Sequence, residues 1–149
     1  MINEQESSNP IFTYLKKQHV LSLCCSFDDD IWCANCFYVF DEKEVAFYLM
    51  TSAESRHSKL MLNNHLVAGT VNGQPKNISL IKGIQYKGII SLLAEENKND
   101  ALSLYTKRFP IAKIKSQPLW KIEISELKFT NNILGFGSKS IWHREYSDR

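Results

Sequence analysis

The segment over residues 51–59 contains the residue types that best suit phosphate binding. Its sequence is TSAESRHSK, with hydroxyl groups at Thr51, Ser52 and Ser55 and cationic side chains at Arg56 and Lys59. If a helix begins here, its unpaired backbone N–H groups and the positive end of its dipole favour an anion at this point. An ordinary serine or threonine cap followed by a solvated basic turn would give the same pattern. Both interpretations stay open at the level of sequence.

Asn35 is the second candidate, because it is a polar residue inside the apolar stretch 31–40. A buried side-chain amide must find hydrogen-bond partners. A neighbouring strand could supply them, or the amide could face a heteroaromatic ligand. The sequence allows a structural and a functional role for this residue.

The cysteines favour a structural role. Four of them, Cys24, Cys25, Cys33 and Cys36, lie within thirteen residues. Cys33 and Cys36 form a CxxC pair, but a zinc site needs four ligands and no second pair exists. On a strand, positions three apart also point to opposite faces. We therefore predict small apolar core thiols. The four histidines are scattered, and no general acid or base stands out.

The elements that must position these residues are mostly strands. Apolar periodicity predicts three helices, one starting at Asn9-Pro10, one over residues 51–64 and one over 97–109. It also predicts six or seven strands. Five of them cover residues 20–27, 31–40, 45–50, 78–93 and 120–129. The strand that is fourth in chain order ends in a turn at 69–73, and a closing segment covers 134–142. Gly83 and Gly88 indicate bulges or bends, and a change of apolar parity indicates a kink near Glu126.

The links between strands are short, which favours an antiparallel sheet or barrel with helices packed outside it. In the second and third strands both faces are apolar. Such strands are covered on both sides, by a closed barrel, a helix or a partner subunit. The fold class predicted is mainly β (α+β).

The composition limits the classes of protein to which the chain can belong. The chain has 149 residues, 44% of them hydrophobic, and a formal net charge of +2. This predicts a mobile tail over residues 1–9 and one domain over 10–149. The small charge gives no reason to expect a nucleic-acid partner. No apolar run is long enough for a membrane helix and the N-terminus lacks signal-peptide character, so the expectation is a cytoplasmic protein.

Several segments together resemble one family. KQHV, WCANCFYVFD, SRHSK, VAGTVNGQPK, GIQYKG, RFPIAK, KFTNN and LGFGSKSIW occur in this order between about Leu15 and Arg144. They are similar to the YhbP-like branch of the flavin-binding split β-barrel proteins related to pyridoxamine 5′-phosphate oxidase. The resemblance implies a six-stranded antiparallel split barrel with flanking helices, a homodimer, and flavin mononucleotide (FMN) at the interface between subunits.

The resemblance also implies roles for particular residues. The strand that would line the flavin ring comprises Asn35, Cys36, Phe37 and Tyr38. The strand end that would contact the ring and the ribityl chain comprises Met50, Thr51 and Ser52. The step that would hold the phosphate comprises Ser55, Arg56 and His57, where His57 replaces the family's lysine. Lys59, one turn later, could compensate for that replacement.

The function implied is that of an FMN-dependent oxidoreductase acting on an unidentified small molecule. The flavin would carry the redox chemistry, so the absence of an obvious acid or base is compatible with this function. The alternative is a non-catalytic split-barrel binding protein that has lost FMN or holds haem or a deazaflavin instead. The substrate-recognition pattern of the oxidase itself is not evident, so its activity is not carried over.

Overall fold

The computed structural model describes residues 9–135 and 139–146. The predicted tail over residues 1–9 lies outside these ranges except for Asn9. The described helices are α1 (Pro10–Lys17), α2 (Arg56–Asn63) and α3 (Asn99–Arg108). The described strands are β1 (Val20–Phe27), β2 (Asp30–Asp41), β3 (Ala46–Met50), β4 (Leu66–Asn72), β5 (Lys82–Leu92), β6 (Leu119–Asn131) and β7 (Lys139–His143).

Six of the strands close into a barrel. They are hydrogen-bonded in the order β3-β2-β1-β4-β5-β6, and β6 returns to pair with β3. All these pairings are antiparallel, and β7 extends the sheet beside β6. The predicted six-stranded split barrel is confirmed. The short links between β1 and β2 and between β2 and β3 permit this arrangement because antiparallel neighbours need only tight turns, whereas β5 and β6 are joined through α3.

Two hydrophobic clusters stabilise the domain. The larger one fills the barrel and includes Trp120, Leu23 and Ile90, with Phe12 from α1 and Met61 from α2. The smaller cluster lies on the outer surface, where α3 covers part of the barrel. The prediction that the helices pack outside the barrel is confirmed: α3 covers its outer surface, and α1 and α2 also contribute side chains to the interior core.

A bulge bends the barrel where β5 pairs with β6. Lys87 pairs with Glu126 and Gly88 pairs with Ile124, so Ser125 has no partner on β5. The predicted bend at Gly88 and the predicted kink near Glu126 are both confirmed. A Cβ atom at Gly88 would lie 2.6 Å from the carbonyl oxygen of Glu123, which explains the need for glycine. Gly83, by contrast, pairs regularly and marks no bulge.

Arg144 binds the backbone where β6 stops pairing with β3 and begins to pair with β7. Its guanidinium donates to the carbonyl oxygens of Ile124, Glu44 and Val45, each at 2.8 Å. The end of a pairing leaves backbone carbonyls unsatisfied, and buried groups of this kind need partners. Arg144 supplies them for both strands of the seam.

The helix starts follow their capping residues. Asn9 Oδ1 accepts from the Ile11 N–H at 2.9 Å, so α1 begins at Pro10 as predicted. Helix α2 begins later than predicted, at Arg56, because Ser55 is its cap and residues 51–55 form a turn. In the described part of the chain, no helix has the length and apolar character needed to cross a bilayer.

Candidate functional site

The turn that leads into α2 is held by its own hydroxyl groups. Ser55 Oγ accepts from the backbone N–H of Ser58 at 3.3 Å and lies 2.8 Å from the carbonyl oxygen of Ser52. The Ser58 hydroxyl donates to the same carbonyl at 2.7 Å. These bonds build the serine cap that sequence analysis offered as the alternative to a phosphate site. The first N–H groups of the helix, at Arg56 and His57, are the ones left to bind an anion.

His57 joins the end of β3 to the start of α2. Its Nε2 lies 2.6 Å from Thr51 Oγ1 and 3.1 Å from Ser55 Oγ. Burial lowers the pKa of His57 below its usual value, so the ring is neutral at neutral pH. The imidazole therefore orders this turn by hydrogen bonding and does not supply the positive charge of the lysine that the resemblance implies at this position.

Arg56 is engaged by an acidic residue at the start of β2. Its guanidinium makes a forked ion pair with Asp30, with Nε–Oδ2 at 3.2 Å and Nη2–Oδ1 at 2.5 Å. It also stacks over the Trp32 ring at 4.0 Å from the centroid. The hydrogen bond from Arg56 lowers the pKa of the exposed Asp30 carboxyl. An incoming phosphate would have to share or displace this partner.

Lys59 completes a small groove beside the ion pair. The groove has a volume of about 380 Å³ and is lined by Arg56 and Lys59 together with Asp30, Glu54 and Asn63. Two cations and two carboxylates meet here, so the net charge of the lining is close to neutral. An anion would bind well only if the carboxylates turned away from it.

The predicted ring-contacting residues of β2 point in two directions. The Cys36 and Tyr38 side chains lie in the interior core, and the Tyr38 hydroxyl donates to the Leu15 carbonyl oxygen at 2.6 Å. Burial raises the pKa of Cys36 to about 11. Phe37 is 58% exposed on the outer face, and Asn35 is exposed there as well. The expectation of a buried Asn35 amide is wrong for the single chain, because none of the residues that the structure describes covers the outer face of β2 at that point.

An apolar corner lies where β2 and β3 approach α3. Tyr38 pairs with Leu49, so residues 35–37 run alongside the end of β3 at Met50. The Phe37 ring contacts Phe109 at 5.6 Å between centroids, and the Tyr105 hydroxyl donates to the Phe37 carbonyl oxygen at 3.4 Å. Met50 and Phe109 are half-buried against the outer cluster.

Sequence analysis missed Tyr105 and Phe109 as candidates for the site. It placed both on the apolar stripe of a helix, which predicts packing but not the strand against which the helix packs. The segment RFPIAK, which resembles the family and contains Phe109, was the available signal that this region belongs to the site.

A larger groove lies elsewhere on the described part of the chain. It has a volume of about 880 Å³, runs between α3 and the outer surface of the barrel near Tyr48, and contains none of the predicted site residues. Four carboxylates and three lysines line it: Asp41, Glu44, Asp100, Glu123, Lys43, Lys107 and Lys121. Excess negative charge disfavours a phosphate, so we regard the smaller groove at α2 as the better candidate despite its size.

The outer surface of β1, β2 and β4 forms an exposed apolar area that we call the open face. It is defined by the exposed side chains of Val20, Ile31, Phe37 and Leu66. Cys33 also lies here and is exposed, so the prediction of a core thiol is wrong for Cys33 although it is correct for Cys36. The open face adjoins the apolar corner through Phe37. Among the described residues, no group of three or more His, Cys, Asp or Glu side chains could hold a metal ion.

Known structures share this fold at low sequence identity. A FAD-binding protein from Mesorhizobium loti matches with a TM-score of 0.65 and 13% identity, covering 86% of this chain and 94% of the other. HutZ, the haem storage protein of Vibrio cholerae, matches with a TM-score of 0.66 and 14% identity, covering 84% and 92%. A protein classed as a pyridoxamine 5′-phosphate oxidase from Listeria innocua matches with a TM-score of 0.64 and 16% identity, covering 83% and 96%. At these identities the likeness establishes the split-barrel fold.

Sequence relatives are much more similar. No family model matches the chain. A UPF0306 protein from Yersinia pseudotuberculosis serotype O:3 is 55% identical over 131 residues, which cover 88% of this chain and 89% of the relative. A UPF0306 protein from Yersinia pestis is 54% identical over the same length. An identity this high over nearly the whole of both proteins means that the chain belongs to the UPF0306 family.

Proposed function

We propose that this protein binds FMN as a homodimer and acts as a flavin-dependent oxidoreductase on a small molecule. One observation carries the proposal: Tyr38 of β2 pairs with Leu49 of β3, Thr51 just after β3 is bonded to His57 of α2, and Phe37 next to Tyr38 is exposed on the open face. This arrangement offers an apolar surface for a ring and an anion corner for a phosphate. The FAD-binding structure from Mesorhizobium loti supports the proposal, because the same fold holds a flavin there.

The ring of the flavin would lie against Phe37 and the backbone of β2, next to Met50. Ligand sites of this kind combine apolar walls with a few polar groups that fix orientation. The exposed amide of Asn35 is a polar group of β2 on the same face as Phe37. It can donate and accept hydrogen bonds at once, as the edge of a flavin ring requires.

The phosphate would bind at the N-terminus of α2, held by Arg56, Lys59 and the first N–H groups of the helix. Arg56 would have to exchange Asp30 for the phosphate, since it is paired with that carboxylate in the single chain. Thr51 and Ser55 would keep the His57 ring in place. These residues fit an FMN phosphate only after this exchange of partners, which lowers the affinity expected.

Bound FMN would supply the transfer of a hydride or of single electrons to the substrate. The chain itself would bind the ring, orient it and exclude water from one face of it. No described side chain is needed as a proton donor in this scheme.

A second copy of the chain would cover the open face. Ile31 is 71% exposed there, and an apolar surface of this kind commonly marks an interaction site. The open face also continues directly into the apolar corner, so a second copy would enclose the ring. This subunit arrangement is part of the proposal and agrees with the two-sided apolar pattern of β2.

Titration of the purified protein with FMN tests the proposal. We expect flavin absorbance to remain with the protein after dialysis, and Arg56→Ala to weaken binding by about 10- to 100-fold through loss of a charge-assisted bond. Lys107→Ala is the matched control, because it removes an exposed cation from the larger groove and should leave the affinity unchanged. A protein that stays colourless after FMN is added, or equal effects of the two variants, would contradict the proposal.

A second candidate is a split-barrel protein that binds haem or another cofactor instead of FMN. Two observations favour it: Arg56 is already paired with Asp30, and His57 is neutral where the family has a lysine. HutZ, which has the same fold, is a haem storage protein. Competition between haemin and FMN, followed by the haem Soret band and by flavin fluorescence, separates the candidates. If His57→Lys raises FMN affinity from undetectable to tight, the second candidate gains; tight binding of FMN by the wild type removes it.

A further inference from the structure

Two of the four cysteines are paired across the β1–β2 hairpin. Cys24 and Cys33 are direct partners in the antiparallel ladder, and both side chains point to the open face. Their sulfur atoms are 2.9 Å apart, at hydrogen-bond distance. Both residues are free thiols.

Their position in the ladder suits a covalent bond between them. The backbone N–H of Tyr38 donates to the carbonyl oxygen of His19 at 3.0 Å, so this pair is hydrogen-bonded. Hydrogen-bonded and non-hydrogen-bonded pairs alternate along an antiparallel ladder, and Cys24–Cys33 is an odd number of steps away. It is therefore a non-hydrogen-bonded pair, whose Cα atoms are about 4.5 Å apart, within the range that disulfides span.

The remaining cysteines are placed differently. Cys25 and Cys36 are buried and belong to the interior core. Cys33 is exposed and Cys24 is partly exposed. The hydrogen bond to Cys33, with some help from burial, raises the pKa of Cys24 to about 11, and the greater exposure of Cys33 makes it the sulfur presented to a reagent. Wherever the open face is uncovered, small oxidants can thus reach one pair of thiols and not the other two.

We propose that Cys24 and Cys33 form a thiol oxidation site, at which hydrogen peroxide converts the pair to an intrachain disulfide. The Cys33 sulfur, as the thiolate, attacks the peroxide oxygen and breaks the O–O bond, giving a sulfenic acid and, after protonation of the leaving oxygen, water. The Cys24 sulfur then displaces the hydroxyl group, which leaves as a second water with the Cys24 proton. Two thiols lose two electrons and two protons in total, and the peroxide is reduced to two waters.

The surroundings favour this product over metal binding. The described residues offer no third His, Cys, Asp or Glu ligand, and a tetrahedral zinc site needs more than two protein ligands. A pocket of about 220 Å³ adjoins Cys24 and is lined by Ile31, Leu66, Ala68 and Lys87. The site does not depend on a bound flavin. It lies on the face where we propose that a second copy binds, and an intrachain bond leaves the number of subunits unchanged.

Treatment of the purified protein with excess hydrogen peroxide tests the inference. We expect the titre of free thiols to fall from four to two, with a mass lower by two hydrogen atoms and full reversal by dithiothreitol. Cys24→Ser and Cys33→Ser should each lose this reversible change. Cys25→Ser is the matched control and should still lose two of its three thiols.

Peptide mapping keeps the test decisive if a variant fails to fold. Cleavage after Phe27 and Trp32 separates the two halves of the hairpin, and fragmentation of the linked peptides in the wild type identifies the bonded sulfurs. A bond between Cys24 and Cys33 supports the inference. A bond between Cys25 and Cys36, a bond between two chains, or four unchanged thiols overturns it.

Discussion

The two ends of β2 have the same kind of outer face and different surroundings. Near the end of the strand, Val39 is 8% exposed because α3 covers it with Ala101 and Tyr105. Near the start of the strand, Ile31 is 71% exposed on the open face. The apolar outer face of β2 is therefore covered at one end of the strand and exposed in the single chain at the other, and the apolar pattern alone does not distinguish the two ends. At one end the cover is a helix of the same chain, and at the other we propose a second copy.

Weakening the contact between α3 and β2 should have the largest effect, on the free energy of unfolding. Tyr105→Ala should lower the free energy of unfolding by about 3 kcal/mol, because it deletes a buried aromatic ring from the outer cluster. Ile31→Ala should change it by about 0.5 kcal/mol or less if the open face is bare. Urea denaturation followed by circular dichroism measures both. A large loss in Ile31→Ala that depends on protein concentration would mean that a second copy already covers this face.

Introducing a charge on the open face should have the next largest effect, on association. Ile31→Asp should weaken the proposed dimer by about 2 kcal/mol, or roughly 30-fold, because a buried carboxylate in an interface finds no partner. Sedimentation velocity over a dilution series measures the shift. Ile141→Asp on β7 is the control, since Ile141 is 59% exposed but lies away from the open face. Equal shifts in the two variants would argue against this interface.

The stability of the turn between β3 and α2 should depend on pH. His57 ties the end of β3 to α2, and burial lowers its pKa in the folded state below the unfolded value of 6.5. The unfolded chain therefore binds more protons in this interval, so stability is present above pH 6.5 and declines as the pH falls toward the folded pKa. Thermal or urea unfolding between pH 5 and 8 measures the slope. His57→Gln should flatten it, and an unchanged slope would show that another group is responsible.

The smallest effect should come from the exposed ion pair beside the open face. Asp30→Asn should leave stability unchanged within error, because exposed pairs contribute little. It should nevertheless raise FMN affinity by about 3- to 10-fold, since Arg56 would be released for the phosphate. Fluorescence titration with FMN measures the change. An unchanged affinity would mean that Asp30 does not compete with the ligand.

Much of the barrel follows from the sequence, because strand patterning and turn residues are local signals. The bend at Gly88 and the cap at Asn9 are examples, since each depends on the chemistry of one or two residues. The start of α2 was placed too early because Thr51, Ser52 and Ser55 can all cap a helix, and the bonds to Ser52 and Ser58 decide among them.

The sequence predicts which strands lie near the candidate site, but it does not predict how the charged side chains there are paired. Placement of β2 next to the end of β3 follows from the antiparallel pairing, which brings residues 35–37 near Met50. The pairing of Arg56 with Asp30 joins residues 26 positions apart, and no local pattern encodes it. The exposure of Asn35 depends on what covers β2, which is a property of tertiary or quaternary structure.

The closing seam of the barrel has a consequence for folding in the cell. β3 at residues 46–50 cannot pair with β6 until residues 119–123 have been synthesised. Arg144, which bonds to Ile124 of β6 and to Val45 just before β3, is synthesised later still. While the ribosome makes the intervening chain, β3 exposes an unpaired edge next to β2. Such edges promote aggregation and non-local pairings fold slowly. Nascent chains that stall before β6 emerges should therefore depend most on chaperones, and the finished barrel least.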